Sequence, residues 1–479
     1  MPSDTIVSRR RFAAVLTAGI AGIAGCTDDA GREIDGNTTT EPPSTKAAPP
    51  ATGDERDESE PEAEEEPDVG WRIDDPGSPK WVDDSGWRMD GHDTANSARN
   101  RSAEGPSDDP EVRWIFDPNA STPVALDHHP VIVDGTVYTR RAVSAETGAF
   151  EDASFELVAI DGETGDVEPI LETDRLLSRP CVTEDAIYVA VDSDSQTAVH
   201  AYDRESMTKR WETDGLLYDP FTIRRVGDVV LATDADPSFR FTEDLELDLE
   251  SGSPELFAID AETGALRWKA RGIGPNMATN FGRPLATTTV AVFERTRVAR
   301  RLDDGSRAGI LPALPGEEPT RLSDALFEET LLSVGRTANA FIVAAYDWQT
   351  LEPRWSRSFP DSRAGGRPTV VDGVVAVPRP DDRTVVGLDF TTGETRWRAS
   401  PEIAPAHDTL SARIVASDDE FYGVLPGGAT FALEPETGTV QWELQTGAMS
   451  LSWSPTYGVA LADDLLVVTG SDGKLFAIA

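Results

Sequence analysis

A motif that recurs along the chain restricts the fold more than any other feature of the sequence. An aspartate is followed by Thr-Gly and, eight residues after the aspartate, by a tryptophan, as at Asp260 with Trp268 and at Asp389 with Trp397. The acidic position recurs at 161, 203, 260, 303, 347, 389 and 434, with spacings of 42 to 45 residues apart from one of 57. Self-similarity at this period is typical of propeller blades, which bury their faces against neighbouring blades.

Each repeat also contains segments that predict four short strands. Residues 131–133 and 136–138 are apolar runs joined by Asp134-Gly135, and residues 369–377 repeat the pattern around Asp372-Gly373. An Asp-Gly pair between such runs predicts a tight hairpin turn. The Asp…Thr-Gly element then predicts a second turn between the outer two strands, in which the aspartate accepts backbone N–H bonds and the glycine adopts positive φ.

The two ends of the repeat region complement each other. Residues 476–479 match 257–260, so the last repeat stops before its outer strand, whereas residues 111–116 resemble the outer strand at 265–268 without a preceding partner. A strand from the N-terminal side that completes the last blade leaves no open end. We therefore predict an all-β, eight-bladed β-propeller of four-stranded blades, with the ring closed by an N-terminal outer strand.

The recurrent tryptophans are predicted to be structural. A large aromatic face in each outer strand is suited to packing between neighbouring blades. The tryptophans predicted to dock blades in this way are Trp114, Trp211, Trp268, Trp355, Trp397 and Trp442. Cys181 lies in a predicted inner strand, where we expect a small buried side chain.

The N-terminus is predicted to be an export signal. Ser8 to Phe12, with Arg9 and Arg10, resembles the twin-arginine signal, and a short apolar stretch leads to Cys26. Residues 23–26 resemble a lipobox, whose cysteine is lipidated; an ordinary signal followed by a chance cysteine is the alternative. A single acyl chain binds membranes only marginally, so stable anchoring implies a two-chain lipid or a second contact.

These patterns divide the chain into four parts. We predict a twin-arginine signal peptide with lipobox at 1–25, a lipidated cysteine with a disordered acidic tether at 26–70, a lead-in strap at 71–111 and the propeller at 112–479. The tether prediction rests on 15 acidic and three basic residues between 27 and 70, with almost no large apolar side chains. The predicted location is the outer face of the cytoplasmic membrane, reached by the twin-arginine route, with the membrane contacted through the lipid alone.

The charge of the chain indicates an environment of concentrated salt. The formal net charge is -43, and only five of the 43 basic residues are lysine. Such a charge repels itself in dilute buffer, whereas molar salt shortens the Debye length to ~3 Å. An acidic protein that binds cations or basic partners is the alternative. Nucleic-acid binding is disfavoured, because it needs a dense basic face.

The repeat resembles that of the quinoprotein alcohol dehydrogenase-like propellers, also called pyrroloquinoline-quinone (PQQ)-like repeats, and together with the N-terminus and charge it resembles a lipoprotein of halophilic archaeal type. Trp87, Gly91-His92-Asp93 and Asn96 are similar to the lead-in segment of such proteins, with His92 expected in a packing role rather than as a ligand. The resemblance implies either a dehydrogenase that holds PQQ over Ca²⁺ or a scaffold that has lost the cofactor, such as the lipoprotein subunit of the bacterial barrel-assembly machine.

Several features favour the scaffold. The dehydrogenases carry a disulfide of adjacent cysteines beside the quinone, whereas this chain has only Cys26 and Cys181. No Walker A, H-E-x-x-H, G-x-S-x-G or G-x-G-x-x-G motif occurs. We therefore expect an exported interaction scaffold or extracellular ligand-binding protein without catalysis and without a cofactor. The alternatives are a PQQ- and Ca²⁺-dependent oxidoreductase and a sensor for a small anion.

The predicted binding site lies where the inner strands begin. Residues just before strand-opening prolines would lie at similar height around the channel; they are His129, Arg179, Asp219, Arg283, Arg367 and Ser454. Arginine binds carboxylates and phosphates well, so the partner is expected to be a small anionic ligand or an acidic loop of a protein. The alternative is that these arginines tie neighbouring blades together. An acidic insertion at about 234–255 is a second candidate, for a cation, with a solvated loop as its alternative.

Overall fold

The computed structural model describes most of the chain from Gly70 onwards. The described ranges are 70–79, 86–106, 108–118, 129–143, 153–191, 197–213, 220–234, 255–271, 284–292, 297–316, 319–360, 366–379, 384–402, 413–425, 428–446, 458–470 and 474–479. Within them the regular structure is β-strand and no helix occurs, so the predicted all-β class is confirmed. These ranges accordingly contain no helix of a length and apolarity that would cross a membrane.

Thirty-three strands make up the described fold. In chain order they are β1 (Gly70–Trp71), β2 (Val112–Phe116), β3 (Val131–Val133), β4 (Thr136–Val143), β5 (Ser154–Asp161), β6 (Val167–Thr173), β7 (Cys181–Val182), β8 (Ala186–Val191), β9 (Ala198–Asp203), β10 (Lys209–Glu212), β11 (Pro220–Val226), β12 (Val229–Asp234), β13 (Glu255–Asp260), β14 (Leu266–Arg271), β15 (Leu285–Ala286), β16 (Val290–Val292), β17 (Val298–Arg301), β18 (Arg307–Ile310), β19 (Thr320–Phe327), β20 (Thr330–Arg336), β21 (Ala340–Asp347), β22 (Pro353–Pro360), β23 (Thr369–Val371), β24 (Val374–Arg379), β25 (Thr384–Asp389), β26 (Thr395–Ala399), β27 (Arg413–Ala416), β28 (Phe421–Leu425), β29 (Ala429–Leu433), β30 (Val440–Gln445), β31 (Val459–Ala462), β32 (Leu465–Thr469) and β33 (Leu475–Ile478).

The strands form eight antiparallel sheets, which are the blades of a propeller. In each blade the first strand of the repeat is innermost and the fourth is outermost. Blade 1 is β3–β6, blade 2 is β7–β10, blade 3 is β11–β14, blade 4 is β15–β18, blade 5 is β19–β22, blade 6 is β23–β26, blade 7 is β27–β30, and blade 8 is β31–β33 with β2. The predicted eight-bladed architecture is thereby confirmed.

Blade 8 closes the ring as the sequence predicts. Its outer strand is β2, which pairs antiparallel with β33 so that Phe116 lies opposite Leu475. Glu111 and Ala479 exchange backbone hydrogen bonds of 3.1 and 3.2 Å at the end of this pairing. The two sequence ends of the repeat region therefore form one four-stranded blade with no open edge between first and last repeats.

The core of the molecule lies between adjacent blades. Apolar side chains from one blade pack on those of the next, as Ile132 and Val137 of blade 1 do against Leu466 and Val467 of blade 8. The inner and middle strands are buried on both faces, so they consist of nearly continuous apolar runs. Burial of this apolar surface is the main stabilising contribution to the ring.

The recurrent tryptophans lie at these blade-to-blade seams. Trp268 of blade 3 donates from Nε1 to the carbonyl of Leu302 in the next blade at 2.9 Å. Equivalent bonds join Trp114 to Gly162, Trp211 to Ala261, Trp355 to Phe390 and Trp397 to Pro435. Trp442 is buried at the seam that leads to blade 8, and its Nε1 has no hydrogen-bond partner among the described residues.

Two details of blade 4 differ from the sequence prediction. The turn acidic position was assigned to Asp303, but Arg301 occupies it, because Gly305 N–H bonds to the Arg301 carbonyl as Gly264 N–H bonds to that of Asp260. Asp303, two residues after Arg301, resembles the turn aspartates of the other blades, and this placed the predicted turn two residues too late. Blade 4 also has a fifth strand, since β1 pairs with the outer edge of β18.

Candidate functional site

Residues 87–100 cross the central channel, and we call this segment the channel floor. It binds the innermost strand of every blade in turn, starting with a two-way backbone pairing between Trp87 and Ile132 at 2.6 and 2.9 Å. The other hydrogen bonds join, from blade 2 to blade 8, Val182 to Arg88, Arg224 to Asp93, Ala286 to Thr94, Leu326 to Ala95, Thr369 to Ser97, Ala416 to Ala98 and Leu461 to Asn100. The floor thus contacts the inner strands of all eight blades with the chain's own residues.

The polar residues of the lead-in motif shape the floor. The Asp93 carboxylate accepts hydrogen bonds from the backbone N–H of Ala95 at 2.9 Å and from the Ser97 hydroxyl at 2.6 Å. His92 and Asn96 both have positive φ, of 74° and 58°, which the turns around Asp93 require. The His92 ring is buried with its centre 5.0 Å from that of Trp87, in accordance with the packing role expected for it.

Asp90 projects from the floor to two of the predicted site residues. One carboxylate oxygen lies 2.9 Å from His129 Nδ1, and the other accepts a hydrogen bond of 2.8 Å from Arg179. All three side chains are more than nine-tenths buried. The contact with Arg179 pairs a carboxylate with a guanidinium, so Asp90 neutralises the positive charge that blade 2 contributes here.

Arginines from other blades reach the same region. Burial lowers the pKa of Arg179 to about 10; the attraction of Asp90 opposes this shift, and repulsion from Arg413 and Arg367 contributes to it. Arg367 and Arg413 therefore lie near enough to Arg179 for their charges to act on it. Blades 2 and 6 are opposite each other in an eight-bladed ring, so the segments that carry Arg179 and Arg367 lie on opposite sides of it.

The hairpin register shows how these residues are related. Four positions before the residue at which each inner strand enters its hairpin turn, the described residues are His129, Arg179, Thr222, Ser323, Arg367, Arg413 and Gly458. In blades 3 and 8 this position is therefore Thr222 and Gly458, rather than the predicted Asp219 and Ser454. Sequence reasoning missed Ser323 and Arg413 because no proline follows them, whereas counting back from each hairpin would have found both. Asp219, Arg283 and Ser454 lie outside the described residues, as does the acidic insertion between 235 and 254.

The site suits an anion and does not fit a calcium ion. Both oxygens of Asp90 are bound to His129 and Arg179, and Arg367 and Arg413 add positive charge that repels a divalent cation. Within the described ranges no three His, Cys, Asp or Glu side chains are arranged to hold a metal. Guanidinium groups, by contrast, offer several donors to a carboxylate or phosphate.

Cys181 lies next to the site in sequence but is not part of it. Its side chain is fully buried in β7, and burial raises the pKa of the thiol to about 11. A thiol that stays protonated is a poor nucleophile. This agrees with the small structural side chain predicted from the sequence.

Comparisons with known proteins agree on the fold. A family model described as "Outer membrane protein assembly factor BamB" matches residues 87–285 and 321–479. The crystal structure of BamB from Moraxella catarrhalis is similar at 14% identity and a TM-score of 0.50, over 76% of this chain and 99% of that one. Quinohemoprotein alcohol dehydrogenase from Comamonas testosteroni is similar at 12% identity and a TM-score of 0.52, over 82% and 80%. The computationally designed Ika8 protein gives 12% identity and 0.51, over 74% and 98%. No curated protein sequence matches the chain.

Proposed function

Because the chain belongs to the propeller family described as outer membrane protein assembly factor BamB, we propose that it is a non-catalytic binding propeller that holds an anionic group of a partner at its channel. The observation that carries this proposal is that Arg179, Arg367 and Arg413 hold the same register position before the inner hairpins of blades 2, 6 and 7, next to a floor made of the chain's own residues. Three guanidinium groups around one axis favour a ligand with several carboxylate or phosphate oxygens. An acidic loop of a protein presents the same chemistry.

The channel floor also supports a binding role rather than a catalytic one. Residues 87–100 form hydrogen bonds with the inner strands of all eight blades, so the floor is a rigid surface against which a ligand is held. Asp90 and Arg179 are buried and already bound to each other. Their arrangement holds charge in place beside the floor.

We propose that the propeller works outside the cell on a lipid anchor. The twin-arginine pattern at Arg9 and Arg10 and the lipobox cysteine Cys26 support export and anchoring at the outer face of the cytoplasmic membrane. The predicted consequence of Cys26→Ala is release of mature protein from the membrane fraction. Replacing Arg9 and Arg10 by lysine should leave the precursor inside the cell. Retention of the C26A protein on membranes would contradict the lipid anchor.

The binding proposal is tested by titrating the folded protein, in molar KCl, with citrate, inorganic phosphate and PQQ, each with and without Ca²⁺. Saturable binding of a polycarboxylate that Arg179→Gln, Arg367→Gln and Arg413→Gln together abolish is the expected result. Arg398→Gln is the matched control, since that arginine is exposed on the outer strand of blade 6. Binding that survives the triple change would reject the site.

The same titration separates the competing functions. PQQ carries three carboxylates, so calcium-independent binding of PQQ and citrate alike indicates an anion site. Calcium-dependent binding of PQQ alone, with reduction of a dye, would instead favour the quinoprotein oxidoreductase. Binding of a small anion without any protein captured by cross-linking in cells would favour the anion sensor.

A further inference from the structure

The seams between blades follow a rule that pairs one residue of each blade with one of the next. The outer-strand tryptophan of a blade covers the turn glycine of its neighbour, as Trp211 covers Gly264. A Cβ added to Gly264 would lie 2.7 Å from the Trp211 ring, which is closer than real contacts allow. The tryptophan therefore requires a glycine opposite it, and the same arrangement joins Trp355 to Gly393 and Trp397 to Gly438.

At two seams both the tryptophan and the opposing glycine are replaced by other residues. Between blades 1 and 2 the tryptophan position is Pro169 and the opposing turn residue is Met207; between blades 4 and 5 they are Gly309 and Leu351. Met207 and Leu351 have positive φ, of 53° and 59°, as the turn glycines do. Loss of the tryptophan thus leaves room for a side chain at the turn.

The chain itself fills the seam between blades 4 and 5. Trp71 of β1 lies opposite Gly309 and donates from Nε1 to the Trp348 carbonyl at 2.7 Å, the bond that an outer-strand tryptophan makes elsewhere. Leu351 beneath it is 4% exposed. An extended segment that carries a tryptophan is therefore what this type of seam accepts.

The seam between blades 1 and 2 lacks such an occupant in the described structure. Pro169 is exposed, and Ile170 and Met207 are only half-buried although both pack on the apolar cluster between the two blades. The carbonyl of Arg204 occupies the position of the Trp348 carbonyl, and no side chain donates to it within the described ranges. The seam thus presents an apolar surface beside a hydrogen-bond acceptor.

We propose that the seam between blades 1 and 2 is a docking site for a partner protein that presents a tryptophan on an extended segment. The indole would cover Met207 and donate to the Arg204 carbonyl, as Trp71 does at Trp348. Pro169 has no N–H to offer, so recognition depends on the side chain more than on a strand ladder. Residues 13–69 of this chain contain no aromatic residue, so its own tether does not supply the indole.

The probe is a fluorescent synthetic peptide with the sequence of residues 68–79, which includes Trp71, titrated against the purified protein in molar KCl. The peptide with Trp71→Ala is the control ligand. The matched protein is the double variant Pro169→Trp/Met207→Gly, which restores the seam rule and fills the site without touching blades 4 and 5. Circular dichroism and thermal unfolding establish that this variant is folded.

Saturable binding that falls at least tenfold in the filled variant, and at least tenfold with the control peptide, is the expected result. No binding by millimolar peptide, or equal binding to the filled variant, would overturn the proposal; the latter would place the peptide at blade 4 instead. A concentration-dependent dimer that the filled variant abolishes would also overturn it, since the occupant would then be a second copy. The anion titration is independent of all these outcomes.

Discussion

Trp71 supplies the side chain that Gly309 lacks. The two residues lie opposite each other in the pairing of β1 with β18, and Trp71 makes the inter-blade hydrogen bond with Trp348 at 2.7 Å. A Cβ at Gly309 would lie 2.2 Å from the Gly70 carbonyl oxygen, so the added strand also requires this glycine. The segment before the propeller is therefore an integral part of blade 4.

Trp71→Ala should lower the free energy of unfolding by about 2–4 kcal/mol, because it removes a half-buried aromatic side chain and leaves Leu351 and Trp348 uncovered. Trp71→Phe keeps the ring contact and loses the N–H donor, so a loss of about 1 kcal/mol is expected. Urea unfolding in molar KCl measures both. A change below about 0.5 kcal/mol for the alanine variant would show that β1 does not stabilise the ring.

The ring of blades was predictable because the sequence motifs that specify each blade are short and recur along the chain. Residues 111–116 resemble the other outer strands closely enough to reveal the closure, and Asp-Gly pairs mark the inner hairpins of blades 1 and 6. Trp71 was not found, because a two-residue strand has no repeat to match. The available signal was indirect: Leu351 replaces the turn glycine in the blade that follows Gly309.

The site was only partly predictable for a similar reason. His129, Arg179 and Arg367 were predicted because each directly precedes a proline at the start of an inner strand. Arg413 is followed by isoleucine, so this criterion does not identify it. The contact of Asp90 with Arg179 joins residues 89 positions apart, in segments that share no repeat. Long-range pairings of this kind arise from the ring as a whole and leave no pattern in a single sequence.

Gly393→Ala should destabilise the protein much more than Gly373→Ala. Both glycines have positive φ, of 72° and 70°, so both substitutions incur a backbone cost of about 1–2 kcal/mol. Only at Gly393 would the new Cβ also meet an aromatic ring, 2.6 Å from Trp355, whereas at Gly373 the nearest atom is 3.9 Å away. Thermal unfolding of the two variants measures the difference, and equal losses would refute the seam rule.

Arg396→Gln should reduce stability near neutral pH and lose its effect in acid. Arg396 lies 2.6 Å from Asp389 and, together with hydrogen bonds from Thr392, lowers the pKa of that carboxyl from 3.8 to about 2. A folded-state pKa below the unfolded value stabilises the protein above the unfolded pKa, and this contribution disappears as pH falls from about 5 to about 2. The pair is partly exposed, so less than about 1 kcal/mol is expected at pH 6.

Unfolding of wild type and R396Q between pH 6 and pH 2.5, at constant ionic strength, tests this dependence. Arg398→Gln on the same strand is the control and should change stability little at any pH, because the side chain is exposed. A difference between wild type and R396Q that grows as the pH falls would contradict the assigned pKa shift.

Stability should rise steeply with KCl at low concentration. A net charge of -43 favours expansion of the chain until counter-ions screen it. Because the Debye length falls from about 10 Å at 0.1 M to about 3 Å at 1 M, most of the gain should be complete by about 1 M. Thermal unfolding across a KCl series measures the curve. A gain that only begins above about 1 M would indicate salting-out of apolar surface instead of screening.

The channel floor contacts eight inner strands in chain order, and this fixes how many blades the ring contains. Loss of one repeat would leave a buried polar group of the floor without its partner strand, and a duplicated repeat would leave an inner strand without a partner in the floor. Each unsatisfied buried hydrogen-bonding group would lower the free energy of unfolding by about 1–3 kcal/mol. Residues 87–100 precede all the repeats that they bind. The number of blades is therefore encoded twice, once by the repeats and once, in advance, by a segment that matches them one by one.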